Sequence, residues 1–482
     1  MLKNQQKILH KNNCISRMKA MKWILLFFFS STLMFSQEQP KEVLNFEEYL
    51  GFVKQFHPLA KQANLTLKQG EAELLKARGA FDPRIEVDYD RKKFKNTEYF
   101  DKLDAAFKIP TWYGIELKGK LQQNTGDFLN PEGFVPTDGL YSAGISFSLA
   151  DGLLINDRMA QLKQAKIYEK QTKAERVLLL NQVLYESSVA YFDWLLSYKE
   201  ITIFRDSYNN ALVRLNAVKR SIQAGDIPAI DSTEAKLTVQ NRLLGLQQAE
   251  LDFTKNALRL SNYLWLDNDV PIELQPNVIP QEVNDELLNR VFQIEEISIN
   301  DNVLENHPKL SILNNKVDIL TIEKRLKTNN LLPKIDLEYN FYSETPDAIN
   351  SFNTANYFAG VNVYFPLFLR KERGELNLAK FKLQDAQFEQ ISTEVSLRNK
   401  IKETIAEVNS YKEQSVLTSD LVLNYQKMVT AEERKFSMGE SSLFLVNSRE
   451  NSYIESQMKQ NILQNKLFNS QARLFNILGV NL

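Results

Sequence analysis

Cysteine occurs once in this chain of 482 residues, histidine three times, glycine 16 times and proline 14 times. A single cysteine excludes a disulfide framework, and with so few histidines it leaves little material for a zinc cluster or an iron–sulfur site. Glycine and proline together reach about half their usual share, so long continuous elements outweigh loops. Charged residues make up 25% and the hydrophobic set 43%, a balance that excludes both a disordered tail and a polytopic helical membrane bundle. Phosphate-cradling glycine loops, His-Glu-x-x-His, Gly-x-Ser-x-Gly and paired-cysteine motifs are all missing, so the residues point to no cofactor and no enzymatic chemistry. His57 and His307 read as structural residues, and acidic pairs such as Glu432-Glu433 read as solvated faces.

What is present begins with a processing signal. Lys19 and Lys22 precede the apolar run Trp23-Ile24-Leu25-Leu26-Phe27-Phe28-Phe29, and Ser36 offers a small residue before a polar stretch. This order of basic region, short apolar core and small residue predicts an export signal over 1–36, with Met18 or Met21 as alternative starts. The core is too short to span a bilayer, and no later run is longer. Removal of Lys3, Lys7, Lys11, Arg17, Lys19 and Lys22 leaves 53 basic against 60 acidic side chains, a net charge near −7. Such a chain has no electrostatic footprint for nucleic acid. Cys14 lies upstream of the apolar core, so the processed chain carries no thiol.

A long-period duplication organises the rest. His57-Pro58 and Pro83 recur as His307-Pro308 and Pro333, each 250 positions later. Ala143-Gly144-Ile145 recurs as Ala359-Gly360-Val361 after 216 positions, and Gly225-Asp226 as Gly439-Glu440 after 214. The first half therefore carries 34 extra residues between Pro83 and Gly144. The boundaries that follow are a first repeat over 37–266, with strands in 84–149 and a helical hairpin over 153–266. A connecting segment spans 267–302. The second repeat covers 303–482, with strands in 334–367 and a hairpin over 371–478.

Alternation carries the strand prediction. Ile85, Val87 and Tyr89 interleave with Glu86, Asp88 and Asp90, and Ala359, Val361 and Val363 interleave with Gly360, Asn362 and Tyr364. One face is apolar and the other small or polar, as required with lipid or a core on one side and water on the other. The helices are read from spacings of three and four, as in Val239, Leu243, Leu246, Ala249 and Phe253, and from the absence of proline between Asp151 and Ile227. A helix of roughly 70 residues, ~100 Å long, is allowed there. It needs neighbours along its length, as in a coiled coil. Gly225 and Gly439 read as tight left-handed tips with little room for a side chain, with Pro228 starting the next helix after the first and the short side chains of Ser441 and Ser442 suited to capping after the second. A few strands cannot close a barrel alone, and open edges are not tolerated in a bilayer, so several copies must share one. A periplasmic coiled-coil adaptor or structural protein without a transmembrane barrel is the alternative.

In this order of helix, strand pair, helix, glycine tip and helix, repeated once, the chain resembles the TolC-like outer membrane efflux proteins. The resemblance implies an α+β membrane protein in the outer membrane: a homotrimeric shared β-barrel, four strands per subunit, continued by a long α-helical periplasmic tunnel. On that basis residues 96–139 fall partly outside the barrel wall, as additional β structure or as an extracellular loop over the mouth; periodicity alone leaves the strand count in 84–149 open. It also implies a passive exit duct of a tripartite efflux or type I secretion system, with outer-membrane lipid, a periplasmic adaptor and an inner-membrane pump as partners. Adaptor docking falls on Gly225, Ile227, Pro228, Gly439, Ser442 and Leu443. The entrance falls near Asp231, Phe436, Leu445 and Ser448. Phe436 stands where a tyrosine hydroxyl would lock the closed state, and Leu445 and Ser448 stand at acidic positions, so closure is expected to rest on apolar contact.

Overall fold

The structure, a computed structural model, describes residues 42–133, 135–149, 155–294, 304–345 and 353–480. The export signal expected over 1–36 lies outside the described residues. Strand β1 (Glu42–Leu44) belongs with Gln275–Ile279 to a small unit of its own. Apart from β8, which begins in that unit, everything below concerns the large one.

Two His-Pro pairs start two helices of equal length. Helix α1 (Phe46–Phe56) ends where His57 turns the chain extended, and α2 (Pro58–Gly79) begins there. His57 Nδ1 accepts from the Leu59 amide at 3.2 Å, while Pro58 fills a first-turn position that needs no donor. Strands β2 (Arg84–Phe94), β3 (Thr97–Pro110), β4 (Ile115–Thr125) and β5 (Leu140–Ser148) follow, then α3 (Asp157–Ala224) and α4 (Ile230–Ser261). Short strands β6 (Trp265–Leu266), β7 (Val270–Pro271) and β8 (Val278–Pro280) lead to α5 (Asp285–Phe292). The order then recurs: α6 (Pro308–Asn329), β9 (Lys334–Ser343), β10 (Tyr357–Tyr364), α7 (Arg370–Ser437) and α8 (Leu443–Leu478). His307 Nδ1 caps α6 through the Lys309 amide at 3.1 Å. Helices α2 and α6 have 22 residues each, α3 and α7 have 68 each.

The six long strands form one sheet in the order β10-β9-β5-β4-β3-β2, antiparallel throughout. The sheet has six strands among the described residues, against the four that the resemblance implies for a barrel wall, and most of residues 96–139 lies in it as additional β structure. The reason is alternation within the inserted stretch: Leu103, Ala105, Phe107 and Ile109 share one face, while Lys102, Asp104 and Lys108 share the other. A two-residue turn at Lys95 and Asn96, with φ of 51° and 63°, closes the β2–β3 hairpin; positive φ at both central positions matches the right-handed strand twist. The strand limit expected near 367 falls at Tyr364. Arg91, in the basic run Arg91-Lys92-Lys93, lies near this turn and pairs with Glu98 at 2.6 Å.

An aromatic cluster fixes α1 across the middle of the helices. Phe46, Tyr49, Tyr191, Phe192, Trp194, Phe292 and Phe475 are almost fully buried, with the rings of Phe46 and Tyr191 5.0 Å apart. Tyr49 Oη donates to the Ser187 carbonyl at 3.1 Å and Tyr191 Oη accepts from the Gln281 amide at 3.0 Å, so the polar ends of these buried rings are satisfied.

Helix α4 presents a second, outward stripe. Ile230, Leu237, Leu244, Leu251 and Leu258 recur every seven residues and are 69, 54, 66, 49 and 53% exposed. A strict seven-residue repeat is the pattern of a coiled-coil seam.

Candidate functional site

The two hairpin tips close in the same way. Gly225 (φ 86°) ends α3 and Gly439 (φ 76°) lies just beyond α7. The Gly225 amide donates to the Ile222 carbonyl at 3.0 Å and the Asp226 amide to Ser221 at 2.9 Å; Gly439 donates to Phe436 at 3.1 Å and Glu440 to Lys435 at 2.9 Å. Both are Schellman closures, which satisfy the last carbonyls of a helix and require a left-handed residue. A Cβ on either glycine would meet nothing within 4 Å. The lack of room expected from the sequence is therefore corrected: the demand at both tips is conformational, not steric.

Three of the residues singled out from the sequence converge. Leu443, 3% exposed, is buried with Leu215, Val218 and Ala235, and Ile227 and Phe436 pack against this cluster. Apolar contact thus joins the end of the α3–α4 hairpin to the end of the α7–α8 hairpin. Gly225, Pro228 and Gly439 stay exposed, and Ser442 with them. Ser442 caps α8, its Oγ accepting from the Leu445 amide at 3.3 Å. Pro228 does not start α4: the helix begins at Ile230, and the Pro228 carbonyl accepts from the Asp231 amide at 3.1 Å. Leu445 is 40% exposed and Ser448 is exposed, one turn apart on α8 and outside the cluster. Met438 and Phe444, 64 and 67% exposed, supply further apolar surface at the same tip.

Behind the cluster lies a polar network that sequence reasoning missed. Arg214 Nη1 donates to Glu450 Oε2 at 2.7 Å and Nη2 to Glu433 Oε1 at 2.9 Å. Arg242 on α4 stands 3.8 Å from the same Glu450 oxygen and donates to Asn451. Asn447 Nδ2 donates to Glu234 Oε1 at 3.2 Å. The Arg214, Arg242 and Glu450 side chains are only 13, 12 and 7% exposed. Burial pushes the Arg242 guanidinium below its ordinary range, opposed by the adjacent Glu450. The contact between the two hairpins of one chain is therefore not only apolar, and the pair read as solvated is engaged: Glu433 with Arg214, Glu432 with Ser441. A signal was present. Arg214 precedes Gly225 by 11 residues and Glu450 follows Gly439 by 11, so opposite charges sit at matched depth on the two hairpins.

Both histidines are buried helix caps. His307 Nε2 donates to the Ile477 carbonyl at 2.7 Å, and burial lowers the pKa of both rings.

Residues 300–480 match the outer membrane efflux protein family. The match covers the second half of the chain only. Its fold is similar to the Campylobacter jejuni CmeC outer membrane channel, at 14% identity and a TM-score of 0.64 over 93% of this chain and 90% of that one. It is also similar to the outer membrane protein VceC from Vibrio cholerae, at 12% identity and a TM-score of 0.63 over 90% and 96%. The open-state Neisseria gonorrhoeae MtrE outer membrane channel gives 11% identity and a TM-score of 0.64 over 90% and 88%. No curated protein sequence matches. The matched stretch contains β9, β10 and the whole α7–α8 hairpin, and hence Glu433, Gly439 and Glu450. Among the described residues no helix is long and apolar enough to cross a membrane.

Proposed function

We propose that this chain is one subunit of a homotrimeric exit duct in the outer membrane. Its strands join those of two other copies in a shared barrel, and its long helices continue the channel into the periplasm. Substrates pass through it passively, delivered by an inner-membrane pump through a periplasmic adaptor in a tripartite efflux or type I secretion system. The observation that carries this reading is the open antiparallel sheet, with Ile85, Val87, Ile145, Val361 and Val363 between 47 and 74% exposed on one face and, among the described residues, no strand beyond the outer edges of β2 and β10. An exposed apolar sheet with free edges is an aggregation hazard in water and a barrel segment in lipid.

The exposed leucine stripe of α4 supports the trimer, since a seven-residue apolar repeat takes a helix of a neighbouring copy. The repeated element lengths support an internal duplication of helix, strands and hairpin, with 37–266 and 303–482 as its halves and 267–302 between them. The tips form the adaptor-docking end. Gly225, Pro228, Gly439 and Ser442 shape its outer surface; Ile227 and Leu443 hold the two hairpins together. Asp231, Phe436, Leu445 and Ser448 lie beside the entrance. Particle mass in detergent, corrected for bound detergent, tests the assembly: three chains per particle support it, and a monomer retaining its β content contradicts it.

A further inference from the structure

We infer that the β2–β3 hairpin is part of the membrane wall, so that each copy supplies six strands to the barrel and three copies supply eighteen. The inference rests on the shared-barrel reading above and adds the strand count and the identity of the edges. Four observations carry it.

The first is length. A tilted membrane-spanning strand needs about 9–11 residues. Strands β2 and β3 have 11 and 14, against 9 and 10 for β5 and β9.

The second is sidedness. Pairing puts Ile85 beside Phe107 and Val87 beside Ala105, on the face that carries Ile145 and Val361 farther along the sheet. Ile85 and Val87 are 74 and 58% exposed, comparable with Val361 at 69%. The opposite face is tied by ion pairs across the same strands: Lys108 to Glu86, Lys120 to Asp104 at 3.1 Å, and Lys118 to Glu338 at 3.5 Å. From the helix-side end up to Tyr89 the hairpin thus continues both the apolar and the charged faces, as a barrel wall with lipid outside and water inside requires; beyond it, near the β2–β3 turn, the apolar face ends at the Arg91–Asp101 ion pair, 3.5 Å apart.

The third is stagger. The row of paired residues that starts at Arg84, the first residue of β2, runs through Lys108, Lys118, Gly144 and Asn340 to Phe358. It arrives six residues short of Tyr364, the last residue of β10. With about 3.4 Å per residue and about 4.8 Å between strands, six residues over five strand spacings is a tilt of about 40°. Membrane barrels tilt by about 35–45°. A hairpin folded away from the wall has no reason to keep that slope.

The fourth is anchoring. The β3–β4 turn is pinned to the helices by Trp112, which packs on Leu74, Ala77, Leu162 and Ala165 and stacks on Phe81 at 5.7 Å. The hairpin therefore starts at the same level as the other strands.

With an even number of strands, β2 and β10 run in opposite directions, so β2 of one copy meets β10 of the next antiparallel, with apolar residues on the same side. Because barrel diameter grows roughly linearly with strand number, an eighteen-stranded outlet is about half again as wide as one of twelve.

Lipid quenching separates this inference from the reading beneath it. The full chain, with Cys14→Ser where that residue is retained, is reconstituted in vesicles containing mid-chain brominated phosphatidylcholine. It carries one fluorophore on Val361→Cys, Val87→Cys or Asp88→Cys. Val87 and Val361 each stand three residues from the helix-side end of their strand. Equal quenching at Val361 and Val87, with Asp88 quenched by aqueous iodide and not by lipid, is the expected result. Quenching at Val361 alone puts the hairpin outside the wall and overturns the six-strand count while leaving the duct intact. Absence of lipid quenching at both positions removes the shared barrel and the inference with it.

Discussion

Arg214 and Glu450, 236 positions apart in the chain, meet at 2.7 Å with both side chains almost out of water. The contact joins the α3–α4 hairpin to the α7–α8 hairpin just behind the tips. Removing one partner of a buried ion pair costs about 3–5 kcal/mol, less where a second charge such as Arg242, 3.8 Å from Glu450, remains, and removing both charges costs less again. Arg214→Ala should therefore loosen the second hairpin and raise single-channel conductance in planar bilayers. The Arg214→Ala, Glu450→Gln double variant should be less destabilised than Arg214→Ala alone. Unchanged conductance in the single variant would remove this pair from the closure of the entrance.

The glycine tips make a separable prediction. Because space around Gly225 and Gly439 is open, an added side chain is opposed only by the left-handed backbone, about 1–2 kcal/mol per site. Gly225→Val and Gly439→Val should leave the trimer assembled but weaken adaptor crosslinking and export. Loss of the trimer before loss of crosslinking would show that the tips serve assembly instead.

The α4 stripe tests how copies meet. Leu244 is 66% exposed in the single chain and would be a buried seam residue in the proposed trimer, so Leu244→Asp should reduce trimer yield sharply. Lys236→Asp, at an exposed position of the same helix that lies off the stripe, should be mild. Mass analysis of both variants decides, and equal yields would place the neighbouring copy elsewhere.

Stability should fall on the acid side. Burial depresses the pKa of His307 and of His57 below the ordinary 6.5 or so, which means the unfolded chain binds protons that the folded chain refuses. The stabilisation from neutral rings is present above about pH 6.5 and is lost as pH falls through that value toward the lower folded pKa values. His307→Asn keeps an acceptor for the Lys309 amide and removes the titrating ring. Its unfolding midpoint should vary less between pH 5 and 8 than that of the unaltered chain, and an identical pH dependence would contradict the assignment.

Much of this architecture was legible because it rests on local patterns repeated at long range. His57-Pro58 and His307-Pro308 announced two capped helices, proline-free stretches announced two long ones, and alternation announced the strands. The strand count in 84–149 stayed open because the resemblance favoured four barrel strands, while the alternation of Leu103, Ala105 and Phe107 that runs through β3 pointed to more. The polar network was missed for a different reason: Arg214 and Glu450 each look like an ordinary surface charge on a helix. Only the matched distance to two glycines, and a packing that no single helix specifies, brings them together. Leu443 could be placed at a tip from sequence, but its burial between hairpins depends on how four helix ends converge.

Single-particle imaging of the purified full chain in lipid nanodiscs tests the central claim most directly. The account predicts a threefold particle with one continuous eighteen-stranded barrel in the disc and a helical tube projecting from one side. Separate monomers, or a threefold helical particle with no barrel in the lipid, would contradict it.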